Sequence, residues 1–249
     1  MADLLELTAL AERDHFWFHG FRASFVPVLD EIAGGRRDLR LLDCGCGTGY
    51  NLQQLLPRYG TAFGFDLSPD SIRRGREAHL AIARGNMHHI PFRSGTFDIA
   101  TSFDVVQSVP DDRAALREMA RVLKPGGHVV LNVTALELLR GDHSDVWEEV
   151  RRYTPRTARE LLAGAGLTPV RVAYVFASIV PMVLGVRLAQ RMLRAFRDPT
   201  GDADLHVPAA PVNTALAWLV RGEAALARRV PMPCGTSLMI VGRKEEGTG

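Results

Sequence analysis

"LRLLDCGCGTGYNLQQLL", Leu39 to Leu56, is an apolar run that ends in an acidic residue, breaks into glycines at positions 45, 47 and 49, and resumes as helix-like sequence. A short apolar run bounded by glycine reads as a buried strand, and a glycine turn before a helix aims backbone N–H groups at a ligand. The neighbouring side chains decide which ligand. A Walker loop ends in Gly-Lys-Ser or Gly-Lys-Thr, because lysine and hydroxyl must reach phosphate and magnesium; here Gly49 is followed by Tyr50 and Asn51. A dinucleotide loop runs G-x-G-x-x-G, whereas these glycines fall at every second position behind Asp43. A carboxylate at the strand tip is an odd neighbour for pyrophosphate and suits an ammonium or sulfonium ligand.

Outward from this loop, short apolar runs alternate with helical patterns. "TAFGFDL", "LAIARGN", "FDIATSFD", "GHVVLNV", "LTPVRVAYVF" and "TSLMIVGRK" read as six further strands. Helices are expected from Tyr50 to Leu56, in "PDSIRRGREAH" behind the N-cap Ser68 and Pro69, in "DRAALREMARVL", and from Thr154 and Pro155 to the glycine stop at Gly166. The alternation implies an α/β fold: a doubly wound, mostly parallel seven-stranded sheet with helices on both faces. No helix pattern follows the last strand, which is expected to pair antiparallel at or near an edge. Residues 182 to 230 read as extra helices before it, with Arg197 to Asn213 as a long loop or lid. The expected organisation is one domain: a helical lid over 1–36, a cofactor-binding core over 37–175, a helical cap over 176–232 and the final strand over 233–245.

Asp66 closes the second strand in "FGFDLSP". A carboxylate there can accept two hydrogen bonds from the vicinal hydroxyls of a ribose, as in nucleotide-binding sheets generally. Ligands of such sheets lie at the carboxyl ends of the strands, where the glycine loop and Asp66 both fall.

These residues resemble the class I, seven-stranded S-adenosylmethionine-dependent methyltransferases. "LLDCGCGTG" matches their glycine loop, "GFDLSP" their ribose motif, "RGNMHHIPF" their adenine-facing segment, "FDIATSFDVVQSVPD" their fourth-strand motif, and "LREMARVLKPGGHVVLNV" their turn into the fifth strand. The resemblance covers residues 39 to 134, with five motifs in order. It implies S-adenosyl-L-methionine as cofactor and S-adenosyl-L-homocysteine as product. Carried over, Asp43, Gly45, Cys46, Gly47, Thr48, Gly49 and Asn51 surround the amino-acid end, Asp66 and Leu67 the ribose, and Asn86, Met87 and Phe103 complete the cofactor site. Asn86 replaces the usual aspartate, and Gln107 and Ser108 replace a frequent glutamate-histidine pair. "HFWFHGFR" and "HSDVWEEVRRYT" resemble segments of a bacterial branch of methyltransferase-domain type 11 with an N-terminal His-x-Trp-Phe segment and no settled acceptor; Ser144 and Glu149 depart from that pattern.

Methyl transfer from a sulfonium is an in-line displacement in which the enzyme aligns the acceptor and excludes water. If the acceptor must lose a proton, a base is needed; His143 is the first candidate because histidine titrates near neutrality, with Tyr153 and His15 behind it. The competing reading of His143 is a surface or capping residue. A carboxylic acid acceptor needs no base, and Arg22 or Arg152 could hold it by a two-pronged hydrogen bond, unless they serve in structural ion pairs. Trp17 and Phe18, with Phe16, either form an aromatic lid over the ligands or simply pack the N-terminal helix. Gln107 is placed with the substrate-binding residues.

Composition limits the alternatives. The 249 residues include 47% hydrophobic and 23% charged residues, with a net charge of +2, enough apolar material for a substantial core and no electrostatic case for nucleic acid. The partner expected is a small-molecule acceptor, with O-methylation favoured by family frequency. The protein itself is expected to be a monomer or homodimer. Cys44, Cys46 and Cys234 are an odd count without a second pair of ligands, which fits a reducing cytoplasm and no metal site. The N-terminus lacks the basic start of a signal peptide. "VAYVFASIVPMVLGV" is uncharged but too short to span a bilayer, and Pro181 interrupts it. Arg187, Arg191, Arg194 and Arg197 line one helical face, read as a solvated face in preference to a membrane-surface contact. The readings left standing are an enzyme and a non-catalytic cofactor-binding partner subunit.

Overall fold

The computed structural model describes residues 2–193 and 206–246. Two helices, α1 (Ala2–Asp14) and α2 (Phe16–Ala33), precede the sheet. Then follow β1 (Leu39–Cys44), α3 (Tyr50–Gln54), β2 (Gly60–Asp66), α4 (Pro69–Glu77), β3 (Ile82–Arg84), β4 (Phe97–Phe103), α5 (Asp112–Val122) and β5 (Leu123–Thr134). The chain continues through α6 (Asp142–Val146), α7 (Pro155–Gly164), β6 (Leu167–Val175), α8 (Val180–Leu193), α9 (Ala210–Ala227) and β7 (Ser237–Lys244).

The seven strands form one sheet in the order β3-β2-β1-β4-β5-β7-β6. β1 pairs in parallel with β2 and β4, and β4 with β5, whereas β7 is antiparallel to both β5 and β6. The antiparallel last strand therefore lies one place in from the edge, wedged between β5 and β6. Its side chains explain that place, since Leu238, Met239, Ile240 and Val241 are all at most 4% exposed, and such a run needs cover on both faces.

Alternation along the strands builds two cores. Leu42, Val129, Leu131, Leu238 and Ile240 pack on one face with Leu116 and Met119 of α5 and Leu161 and Leu162 of α7. Leu41, Val130, Met239 and Val241 pack on the other with Phe21, Phe25 and Leu29 of α2, Leu52 of α3 and Val220 of α9.

Several boundaries differ from the sequence reading. α3 stops at Gln54, and Pro57 sits in a 3-10 turn over Leu56–Arg58, because proline cannot supply the N–H that continues the helix. β5 begins at Leu123 rather than Gly127, since Leu123 already pairs with Phe97. Pro181 falls in the first turn of α8, where a missing N–H costs nothing. Ala210–Asn213 belongs to α9 rather than to a loop. Residues 197–205 of the expected lid, with Arg194 and Arg197 of the basic stripe, lie outside the described residues. Among the described residues no helix is long and apolar enough to cross a membrane.

Candidate active site

A continuous cavity of about 660 Å³ runs along the carboxyl ends of the strands, walled by α1, α2, the β1–α3 loop, the β4–α5 loop, α6 and α8. Its first lobe is built on the glycine loop. Gly45, Gly47 and Gly49 all have positive φ, of 77°, 49° and 79°, a conformation that other residues adopt with strain. A Cβ on Gly45 would also stand 2.7 Å from Val105 Cγ2. The loop is pinned by the N–H groups of Gly45 and Cys46, which donate to the Phe65 carbonyl at 2.9 and 3.1 Å. Asp66 accepts from Gly47 N at 2.8 Å and Ser68 N at 2.9 Å, one bond to each oxygen, which leaves acceptor capacity on both.

The lobe is acidic. Thr101 Oγ1 donates to buried Asp43 at 2.8 Å, and Thr48 Oγ1 donates to Glu12 of α1 at 2.6 Å. Burial, above the neighbouring charges, pushes the carboxyls of Asp43 and Glu12 up to about 7. Asp66 adds to the shift at Asp43, and Asp43 to that at Glu12. Three carboxylates around one space favour a positively charged guest and disfavour a phosphate.

The second lobe lies beyond β4. Asp104 lines it with a φ of +58°. Its backbone N–H donates to the Asn132 carbonyl at 2.9 Å, and Asn132 Nδ2 donates to both of its carboxylate oxygens at 2.9 Å. Burial pushes its carboxyl up to about 7, aided by nearby Glu149 and opposed by bonds from Asn132 and Gln107. Gln107, Thr134, His143, Trp147, Glu149, Arg152 and Arg187 complete the wall. Gln107 Oε1, Thr134 Oγ1, Trp147 Nε1 and Glu149 Oε1 are buried without a hydrogen-bond partner. Such atoms are expensive to leave unpaired in a native fold and mark where a ligand's polar groups fit.

Residues 42–131 match the family described as Methyltransferase domain. Over these residues the chain carries a methyltransferase domain. Demethylmenaquinone methyltransferase of Staphylococcus aureus is 35% identical over 105 residues, covering 39% of this chain and 44% of the relative. Malonyl-[acyl-carrier protein] O-methyltransferase of Serratia marcescens is 34% identical over 113 residues, covering 45% of this chain and 44% of the relative. The chain thus spans less than half the length of these relatives. In fold it is similar to a structure of the Haloferax volcanii Trm112 methyltransferase activator in complex with a methyltransferase, with a TM-score of 0.58, 23% identity, and coverage of 97% of this chain and 96% of the other. The cofactor of a class I methyltransferase domain is S-adenosylmethionine. The residues present fit it: the acidic lobe matches its sulfonium and ammonium charges, and Asp66 retains lone pairs for a diol.

The fold brings most of the sequence-predicted residues to the cavity. Asp43, Gly45, Cys46, Gly47, Thr48, Asn51, Asp66 and Phe103 line it, as do His15, Trp17, Phe18, Arg22, Gln107, His143 and Arg152. Gly49, Leu67, Asn86 and Met87 do not. Gly49 caps α3, Leu67 is 63% exposed, Met87 is buried in the sheet core, and Asn86 Oδ1 accepts from His88 N at 2.9 Å. Tyr153 is also outside: it is 2% exposed, its hydroxyl donates to Asp112 at 2.8 Å, and burial pushes its pKa up. That buried, raised phenol is unsuited to serve as a base near neutrality. His15 caps α2 by accepting from Trp17 N at 3.2 Å.

Arg152 is an ion-pair partner. It meets Glu149 at 2.9 Å with the two side chains 5% and 1% exposed, and also donates to Ser144 Oγ at 3.0 Å and the Ala135 carbonyl at 3.1 Å. Arg22 sits at the cofactor end, donating to the Glu12 carbonyl at 2.8 Å and lying over Tyr50. Trp17 stacks on Phe21 and Phe176 at 5.7 and 5.2 Å, so it both packs the helix and walls the cavity. Arg187 is 6% exposed and lines the cavity, so it does not belong to a solvated face. The sequence reading missed Glu12, Asp104, Trp147 and Glu149. Asp104 alone carried a local signal, being the acidic residue that ends the expected strand "FDIATSFD".

Proposed function

We propose that this chain is an S-adenosylmethionine-dependent methyltransferase acting on a small molecule, with oxygen ahead of nitrogen as the receiving atom. The observation that carries this reading is the continuity of one cavity from the acidic glycine-loop lobe to a second lobe lined by residues that keep unpartnered buried polar atoms. When bound, the cofactor supplies a methyl group on a sulfonium, already activated for displacement. The residues of this chain hold its charged end (Asp43, Glu12), hold its ribose (Asp66), exclude water (Trp17, Phe18, Phe103) and orient the acceptor opposite. The two relatives, by their names, methylate demethylmenaquinone and malonyl-[acyl-carrier protein], which supports a non-nucleic-acid acceptor.

The test is calorimetric titration of S-adenosylhomocysteine into the wild type and Asp66→Ala. One-site binding weakened about 10- to 100-fold in the variant is expected from the loss of hydrogen bonds to a charged acceptor. Wild-type protein that binds NADH more tightly than S-adenosylhomocysteine would overturn the reading. The fold similarity to a methyltransferase in complex with its activator favours one second reading, a cofactor-binding subunit active only with a partner. Tight binding without turnover on any acceptor would select it.

A further inference from the structure

The second lobe says more about the acceptor than the family does. Of its four unpartnered buried atoms named above, Gln107 Oε1 and Glu149 Oε1 only accept hydrogen bonds, Thr134 Oγ1 can accept or donate, and Trp147 Nε1 alone is restricted to donating. Glu149 belongs to a side chain 1% exposed whose other oxygen is taken by Arg152. The arginines suited to an anionic acceptor are engaged. Arg152 is bound by Glu149, Ser144 and the Ala135 carbonyl, Arg22 lies at the cofactor end, and Arg187 donates to Gln190 Oε1 at 2.9 Å. A carboxylate placed here would face the Glu149 oxygen and Asp104. A molecule presenting N–H or O–H groups would satisfy them.

Asp104 stands where such a group would be deprotonated. It follows the last residue of β4, at the carboxyl edge where the cofactor lobe meets the second lobe. A non-glycine residue at a φ of +58° is held in a sparsely populated conformation, and such strain gathers at functional sites. The Asn132 backbone and side chain fix both ends of the residue, leaving the remaining lone pairs of the carboxylate for the cavity. The charged group acting on it is Glu149, which is paired with Arg152, while His143 of α6 and Arg187 of α8 line the same cavity.

Resting on the methyltransferase reading, we propose that the acceptor is an alcohol, phenol or amine rather than a carboxylate, and that Asp104 is the base that takes its proton. The acceptor's lone pair forms the new bond to the methyl carbon. The electron pair of the broken carbon–sulfur bond stays on sulfur, which becomes a neutral thioether, and the acceptor's proton passes to an Asp104 carboxylate oxygen. Gln107 Oε1 and Glu149 Oε1 receive neighbouring donors of the same molecule and set its orientation.

The test uses the full chain saturated with S-adenosylhomocysteine and two size-matched fragment sets, one of alcohols, phenols and amines, the other of carboxylates. Binding is read by saturation-transfer NMR and by the Asp104 13Cγ signal, assigned with Asp104→Asn. The expected result is that hits come from the donor set and move the Asp104 signal. With methyl-labelled cofactor, the best hit should turn over about 100-fold or more slowly in Asp104→Asn, with KM within about threefold. The wild-type rate should rise with pH up to about 7, the range to which burial pushes this carboxyl, and the variant should lose that limb. Hits drawn mainly from carboxylates, no donor hit, or a wild-type rate in Asp104→Asn would each overturn the proposal. Unchanged S-adenosylhomocysteine affinity in the variant shows that it folds; failure of the wild type to bind that probe would overturn the methyltransferase reading instead.

Discussion

Glu12 and Asp43 face one another's charge across the cofactor lobe, with Asp66 adding a third carboxylate. Their folded-state pKa values near 7 exceed the ordinary carboxylate value of about 4. A raised carboxyl stabilises the fold fully below the unfolded pKa and loses that contribution as pH rises through the folded one. The ligand-free protein should therefore melt at a lower temperature at pH 8 than at pH 6, and a saturating sulfonium cofactor should narrow that gap by supplying the missing positive charge. A gap that the cofactor leaves unchanged in thermal melts would show that these carboxyls do not meet it. Asp43 and Asp66 were legible in the sequence because each ends an apolar run, so strand geometry alone sends it to the ligand edge. Glu12 was not: "TALAERD" reads as an ordinary amphipathic helix, and nothing local reveals that Glu12, and not Asp14, lands on Thr48.

Between elements, α2 approaches α9 and the Phe176 ring closely near the site. A Cβ on Gly20 would lie 2.6 Å from Phe176 Cε1 and 2.7 Å from Val220 Cγ2, so the helices meet where α2 has no side chain. Gly20→Val should destabilise by about 1–3 kcal/mol through overpacking, read from the urea midpoint at constant slope; an unchanged midpoint would mean that this contact is loose. Strand β1 was readable to the residue because it is buried on both faces and flanked by turn signals. The basic pattern of α8 misled for the converse reason. Helical periodicity shows which residues share a face, but not whether that face meets water or a cavity, and Arg187 meets a cavity.

Across the whole molecule, the cavity is assembled from segments that are distant in sequence. Asn213 of α9 ties the α1–α2 junction, accepting from Phe16 N at 2.8 Å and donating to the Asp14 carbonyl at 2.7 Å. S-adenosylhomocysteine should therefore slow hydrogen exchange in α1 as well as in the glycine loop; protection confined to residues 43–66 would mean that α1 does not wall the bound state. The sequence's resemblance to a known family implied the cofactor, and by itself the sequence determined the strand-helix alternation, the glycine loop and the two carboxylates at strand tips. These follow from short-range rules, namely side-chain periodicity, left-handed glycine backbone and the direction of a strand. Only the tertiary structure decided that β7 sits inside β6, that Tyr153 and Arg152 are occupied by Asp112 and Glu149, and that Glu12 and Asp104 face the cavity. Those outcomes depend on burial and on partners far along the chain, which no local pattern encodes.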